Sequence, residues 1–241
     1  IPHDYTPGAA HNGGAFDEWF QFAVPDPVDQ EMILQYIGLS ATFDTSFQKF
    51  MMLCGDGGTG KSTLLRLCED FIGAKNTSNI SLMDLTQRFA SFGLMGKLVN
   101  SCADLEIEAL QDVSLIKKCL GEDSLRAEQK GKDAISFKNY AKMIFSTNEL
   151  PLIKSERTNG FYRRLLVLTM NKVPVKRRSD FFTELSSQID YFLHITIEAL
   201  QRMYAAGSIT ESETSVKAIN QMKFDSDTVE AWIQEATYPV P

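Results

Sequence analysis

Residues 53–65 read LCGDGGTGKSTLL, and within them Gly55, Gly60, Lys61 and Ser62 fit the spacing G-x-x-x-x-G-K-[ST]. These residue types suit one kind of chemistry. Glycines let a backbone curl until successive N–H groups point inward at phosphate oxygens. A helix opening at the lysine adds the positive end of its dipole. The lysine reaches the β- and γ-phosphates, and the serine hydroxyl suits a Mg²⁺ ion. The stretch Gly55, Asp56, Gly57, Gly58, Thr59, Gly60, Lys61, Ser62 and Thr63 is therefore expected to form a P-loop around a nucleotide.

Such a loop needs acidic and polar company from neighbouring strand ends. KLVNSCADLE supplies Asp104 at a strand end, where a carboxylate holds Mg²⁺ directly or through water. Glu106, two residues on, is a candidate to orient the attacking water, with Glu108 a weaker third. Asn148 ends the apolar run KMIFSTN before Pro151 and is placed to contact the γ-phosphate or the lytic water. Arg163 and Arg164, in NGFYRRLLVL, are candidates for an arginine finger, which stabilises charge on a transferring phosphoryl group. A finger supplied by a neighbouring copy requires a ring.

These residues need a scaffold, and the pattern describes one. FMMLC (50–54), KLVNSCA (97–103), KMIFSTN (142–148) and RLLVLTM (164–170) are short apolar runs that read as buried strands. Helices are expected between them at 61–73, closed by Gly73, at 81–91, with Ser81 and Asp84 as a capping box, and at 112–121. Strands separated by helices imply α/β architecture with a parallel sheet covered on both faces. Before this core, FDEWFQFAV and a helix opened by Asp26-Pro27, with Ile33, Leu34 and Ile37 on one side, form a small helical region. After it, amphipathic helices run from 179, with SDTVEAWIQEA as the last. The expected divisions are a lead-in and helical segment at 1–45, an ATPase core at 46–172 and a helical region at 173–241.

Net charge is −7 over 241 residues, but it is unevenly spread. Residues 115–178 hold 15 Lys or Arg against 6 Asp or Glu, while the rest of the chain is strongly acidic. An acidic body with one basic segment can still bind an anionic polymer along that segment. No run of about 18 apolar residues exists to span a membrane. The N-terminus lacks a signal peptide's basic and apolar regions, and the missing Met suggests a piece of a longer chain. Cys54, Cys68, Cys102 and Cys119 lie far apart, form no zinc spacing with the three histidines, and read as reduced core thiols of a cytoplasm-like compartment.

Taken in order, the P-loop, the strand-end acid, LIKKCLGEDSLRAEQKGKDAISF, IFSTNELP and GFYRRLLVL resemble the superfamily-three helicase domain of phage- and plasmid-type primase-helicases, related to those of poxviruses and giant viruses. HDYTPGAA with FDEWF resembles that family's lead-in, and SQIDYFLHITIEALQRMYAAGSIT its C-terminal helices. The resemblance implies an AAA+-like, P-loop ATP hydrolase that forms hexameric rings, uses Mg²⁺, and moves along single-stranded DNA in a bacterial host cytoplasm or viral replication site. An upstream primase domain in the same chain is the implied companion. In the family a hairpin facing the central channel grips the DNA backbone with basic residues, which maps here onto Lys130 and Lys132 in RAEQKGKDAISF. Lys117, Lys118 and Arg126 are expected at the surface or an interface. Gly131 stands where the family often has an aromatic, and Ala103-Asp104 where it often has two acids. A nucleotide-switched DNA-loading ATPase without unwinding activity uses the same pocket and is the alternative. A small-metabolite kinase fits the basic hairpin and the arginine pair less well.

Overall fold

The computed structural model describes residues 1–5, 14–81, 83–87, 89–103, 113–121, 123–128, 133–153, 159–175 and 180–227. The chain enters through α1 (Gly14–Ala23) and α2 (Pro27–Ser40) before β1 (Phe50–Cys54). Then come α3 (Lys61–Ile72), β2 (Thr77–Ser78), β3 (Val99–Cys102), α4 (Ser114–Leu120), the pair β4 (Ser124–Ala127) and β5 (Ile135–Lys138), β6 (Lys142–Thr147) and β7 (Leu165–Thr169). Three helices follow: α5 (Phe181–Ser186), α6 (Ile189–Ala206) and α7 (Glu213–Ser226). No described helix is long and apolar enough to cross a membrane.

Five strands form one parallel sheet in the order β2-β3-β6-β1-β7, and β4 with β5 form a separate antiparallel ribbon. In β1 the side chains alternate between two cores. Met51 and Leu53 join the cluster made with α1, α2, α3 and α6, while Phe50 and Met52 join the one that includes α4, β4 and α7. Burial on both faces is why the strands read as unbroken apolar runs rather than as alternating ones. Edge strand β7 is covered by α7, whose Ser215 Oγ accepts the Val167 N–H at 2.9 Å.

α2 opens as its sequence suggests. Pro27 occupies the first turn and the Asp26 carboxylate accepts from the Val28 N–H at 2.8 Å. Its burial differs from expectation, because residues 32–40 are buried all round rather than along one stripe. The sheet lies on one side and α6 on the other. Gly38 permits the second contact, since a Cβ there would lie 2.9 Å from both Leu200 Cβ and the Thr196 carbonyl oxygen. Asp29 is buried and accepts from Ser212 and Thr214, which ties this helix to the start of α7.

Two local expectations fail. The single helix expected over 81–91 is a pair of short 3-10 segments, Asp84–Thr86 and Ala90–Leu94, although the Asp84 N–H does donate to Ser81 Oγ. Thr77–Ser78 forms an edge strand the sequence did not announce. Asn100, fully buried in β3, holds that edge. Its Oδ1 accepts from Ser78 Oγ and the Ile80 N–H, each at 2.9 Å, and its Nδ2 donates to the Ile80 carbonyl at 2.8 Å. The helix expected over SDTVEAWIQEA lies outside the described residues apart from its first two, and α7 precedes it.

Candidate functional site

The glycine loop leaves the carboxyl end of β1, the strand flanked by β6 and β7. Open parallel sheets bind ligands in this position, beyond the strands' carboxyl ends. The loop's path depends on glycine at two points. Gly55 has φ +147°, and a Cβ there would lie 2.0 Å from the Met170 carbonyl oxygen, which sits just beyond β7. Gly60 has φ +103° immediately before α3, and a Cβ there would approach Trp19 Nε1 at 3.3 Å. Only a residue without a side chain turns the chain so tightly between a strand and a helix.

Lys61 is the first residue of α3 and only 6% exposed. Its Nζ donates to the Gly55 carbonyl, to the Asp56 carbonyl at 2.9 Å and to Asn148 Oδ1 at 3.2 Å. The ammonium is thus held over the loop by oxygens alone, as its charge requires in a buried place. Asn148 follows β6, the next strand over, and its backbone carbonyl faces Cys54 Sγ at 3.5 Å. Burial pushes the Cys54 thiol above its ordinary value, with the Lys61 charge pulling the other way. Thr59 Oγ1 donates to the Asp56 carbonyl at 2.9 Å and stiffens the loop from within.

Above the loop lies a cleft of about 870 Å³. Its floor is the run from Gly57 to Thr63 together with Asn148, while Gly55 and Asp56 of the expected loop do not line it. Its walls are residues the motif did not indicate. Glu18, Trp19 and Phe22 line it from α1, Phe181 and Glu184 from α5, and Pro174 from the segment after β7. The spacing of FDEWFQF could have suggested this, since Glu18, Trp19 and Phe22 fall on one helical face.

The arginine pair lies elsewhere. Arg163 and Arg164 precede β7, at the opposite end of the sheet from the loop, since Leu165 pairs with Phe50 and Thr169 with Cys54. Four strand steps alone separate them from the loop by roughly 13 Å. They do not join Lys61 within one molecule. The two side chains also differ. Arg163 is exposed, and its carbonyl accepts from Lys49 Nζ, which also pairs with Glu211 at 2.5 Å. Arg164 is half-buried, with Nη1 donating to the Gly160 carbonyl at 2.5 Å and Nη2 to Gln48 Oε1 at 2.9 Å. Gln48 itself has φ +50°.

Asp104, Glu106, Glu108, Lys130 and Lys132 lie outside the described residues. β3 ends at Cys102, which pairs with Phe145 of β6, so the carboxyl ends of these two strands lie side by side. β4 and β5 form the two arms of the expected hairpin, tied to the body where Ser91 Oγ donates to the Arg126 carbonyl at 2.9 Å. Among the described residues, no group of three or more His, Cys, Asp or Glu is placed to hold a metal ion. A Mg²⁺ held mainly by phosphate oxygens and water needs no such group, and Ser62 lines the cleft where one would bind.

Known proteins resemble this chain in sequence and in shape. Residues 53–164 match a family described as "Family of unknown function (DUF5906)". Over 153 residues the chain is 30% identical to the "Putative helicase L207/L206" of Acanthamoeba polyphaga mimivirus, a match covering 60% of this chain and 16% of that protein. An apo structure of the NrS-1 C-terminal region, in its A form, superposes with a TM-score of 0.67 at 14% identity, over 98% of this chain and 64% of that one. A second apo structure of the same region, spanning 305–718, gives 0.61 at 17% identity over 98% and 54%. The chain therefore spans less than two thirds of each of these proteins, and it shares its mixed α/β fold, built on a parallel sheet, with the NrS-1 C-terminal region.

Proposed function

We propose that this chain is an ATP-dependent DNA helicase motor of the superfamily-three type, with an AAA+-like P-loop core, working as a hexameric ring on single-stranded DNA in replication. The observation that carries the reading is the meeting of Lys61 and Asn148 over a glycine loop at the carboxyl end of β1, in a cleft large enough for a nucleotide. The resemblance to a protein named as a helicase supports the kind of motor.

In this reading the loop N–H groups and Lys61 hold the triphosphate, and Ser62 with Asp104 holds Mg²⁺, which neutralises charge on the phosphates. Lys61 exchanges its backbone partners for phosphate oxygens while keeping Asn148 within reach. Asn148 then orients the attacking water, with Glu106 as the candidate to accept its proton. Arg163 and Arg164 sit too far away to act on their own molecule's nucleotide, which favours a finger reaching a neighbour's site. Of the two, Arg163 is the better candidate, because Arg164 already spends its guanidinium on Gly160 and Gln48. Lys130 and Lys132, between the hairpin arms, would follow the DNA phosphates. An upstream primase domain belongs to the same proposal.

The test is ATP hydrolysis with and without single-stranded DNA. Wild type should be stimulated by DNA and should separate strands. Lys61→Ala should lose turnover, by a thousandfold or so if charge stabilisation of the phosphates is its role. Lys130→Ala with Lys132→Ala should keep basal hydrolysis and lose stimulation. DNA-stimulated hydrolysis without strand separation would instead indicate a loading ATPase. No hydrolysis by wild type would overturn the reading.

A further inference from the structure

At about 870 Å³ the cleft is roomier than a row of phosphates needs, and its walls from α1 and α5 are chemically distinctive. Resting on the triphosphate reading of the floor, we propose that α1 and α5 form a nucleobase subsite that stacks the base between Phe22 and Phe181 and reads its donor edge with Glu18 and Glu184. Each helix contributes one exposed or half-buried aromatic ring and one carboxylate to the same cavity. On α1, Glu18 and Phe22 are four residues apart, on one face. On α5, Phe181 and Glu184 are three apart and again share a face. Trp19 packs beneath this wall against Gly60, which fixes α1 to the loop.

The occupant follows from this chemistry. Aromatic rings offer a base a flat, sequence-tolerant surface. Carboxylates accept hydrogen bonds and do not donate them. They therefore favour a base edge rich in N–H groups, such as adenine's amino group or guanine's N1 and N2, and disfavour uracil, whose single N–H lies between two carbonyl oxygens. The site is accordingly selective for donor-edged bases. A charge-assisted hydrogen bond is worth about a factor of ten or more in affinity.

The test compares binding of ATP, UTP, purine riboside triphosphate and inorganic tripolyphosphate, each with Mg²⁺, by titration calorimetry. Wild type should bind ATP about tenfold more tightly than UTP or purine riboside triphosphate, and tripolyphosphate more weakly still. Glu18→Gln or Glu184→Gln should move the ATP-to-UTP ratio toward one, because an amide also donates. Phe22→Ala should weaken ATP and leave tripolyphosphate unchanged. Equal binding of ATP and tripolyphosphate by wild type, or an ATP-to-UTP ratio that neither carboxylate variant shifts, would overturn the base subsite while leaving the phosphate floor standing. If Lys61→Ala leaves all four affinities unchanged, the triphosphate reading itself fails, and this proposal fails with it.

Discussion

Gly55 and Gly60 set the geometry on which the site depends, and each predicts a different penalty. At Gly55 an added Cβ meets backbone, the Met170 carbonyl at 2.0 Å, and backbone cannot swing aside. Gly55→Ala should cost about 3 kcal/mol or more and lower Tm by roughly 6–12 °C in a chain of this size. At Gly60 the obstacle is the edge of a side chain, so Gly60→Ala should cost about 1–2 kcal/mol, mostly from its positive φ. Thermal unfolding of both variants checks the order. The contiguous loop was legible in the sequence because its glycines and Lys61 are near neighbours in fixed spacing. The cleft walls were not, since Phe22 and Phe181 are 159 positions apart and only the fold makes them face one cavity.

Among the elements, strands and helices with strong local signals matched their expected spans closely. β1 and α3 were bounded by the loop glycines and Gly73, and α2 by its Asp26 cap. Where local pattern was silent, at β2 and α7, tertiary contacts decided the element. β2 has only two residues and exists through Asn100, and α7 seats itself on β7 through Ser215. Asn100→Ala should therefore cost about 2–4 kcal/mol, because Ser78 and the Ile80 backbone groups lose their partner inside the protein. Hydrogen exchange should show the amides around 77–80 losing protection before those of β1. Asp26→Ala, by contrast, removes one exposed cap and should cost about 1 kcal/mol in denaturant unfolding.

For the molecule as a whole, pH dependence above neutrality sets one buried lysine against two buried thiols. Burial lowers Lys142 to about 8, although Asp44 pulls it the other way, and its Nζ donates to the Thr42 and Tyr140 carbonyls. Its folded value lies below its unfolded value near 10.4, so the unfolded chain binds more protons between them, and this group adds stability as pH rises from about 8 to 10. Burial raises Cys68 and Cys119 to about 12, so the unfolded chain loses those protons first and their contribution falls as pH rises above about 8.5. The two thiols should outweigh the lysine, giving a net loss of stability from about pH 9 upward. Lys142→Met should steepen that loss, and urea unfolding across pH 7–10 reads the difference. Assembly is testable on the same scale. Mixing Arg163→Ala with Lys61→Ala subunits should restore hydrolysis that neither shows alone, since the first keeps an intact loop and the second an intact arginine. Absence of rescue in any mixture would remove the shared site.

The parallel sheet has a direction, with the glycine loop at one end and the arginine pair at the other. If these are the two halves of one catalytic centre, an antiparallel twofold pair would join them reciprocally and stop at two copies. A larger assembly would instead need each subunit to dock head to tail, through a heterologous contact whose repeat either closes or runs on as a helical filament. The tilt between successive copies, rather than the strength of any one contact, would then decide between a finite assembly and an endless one.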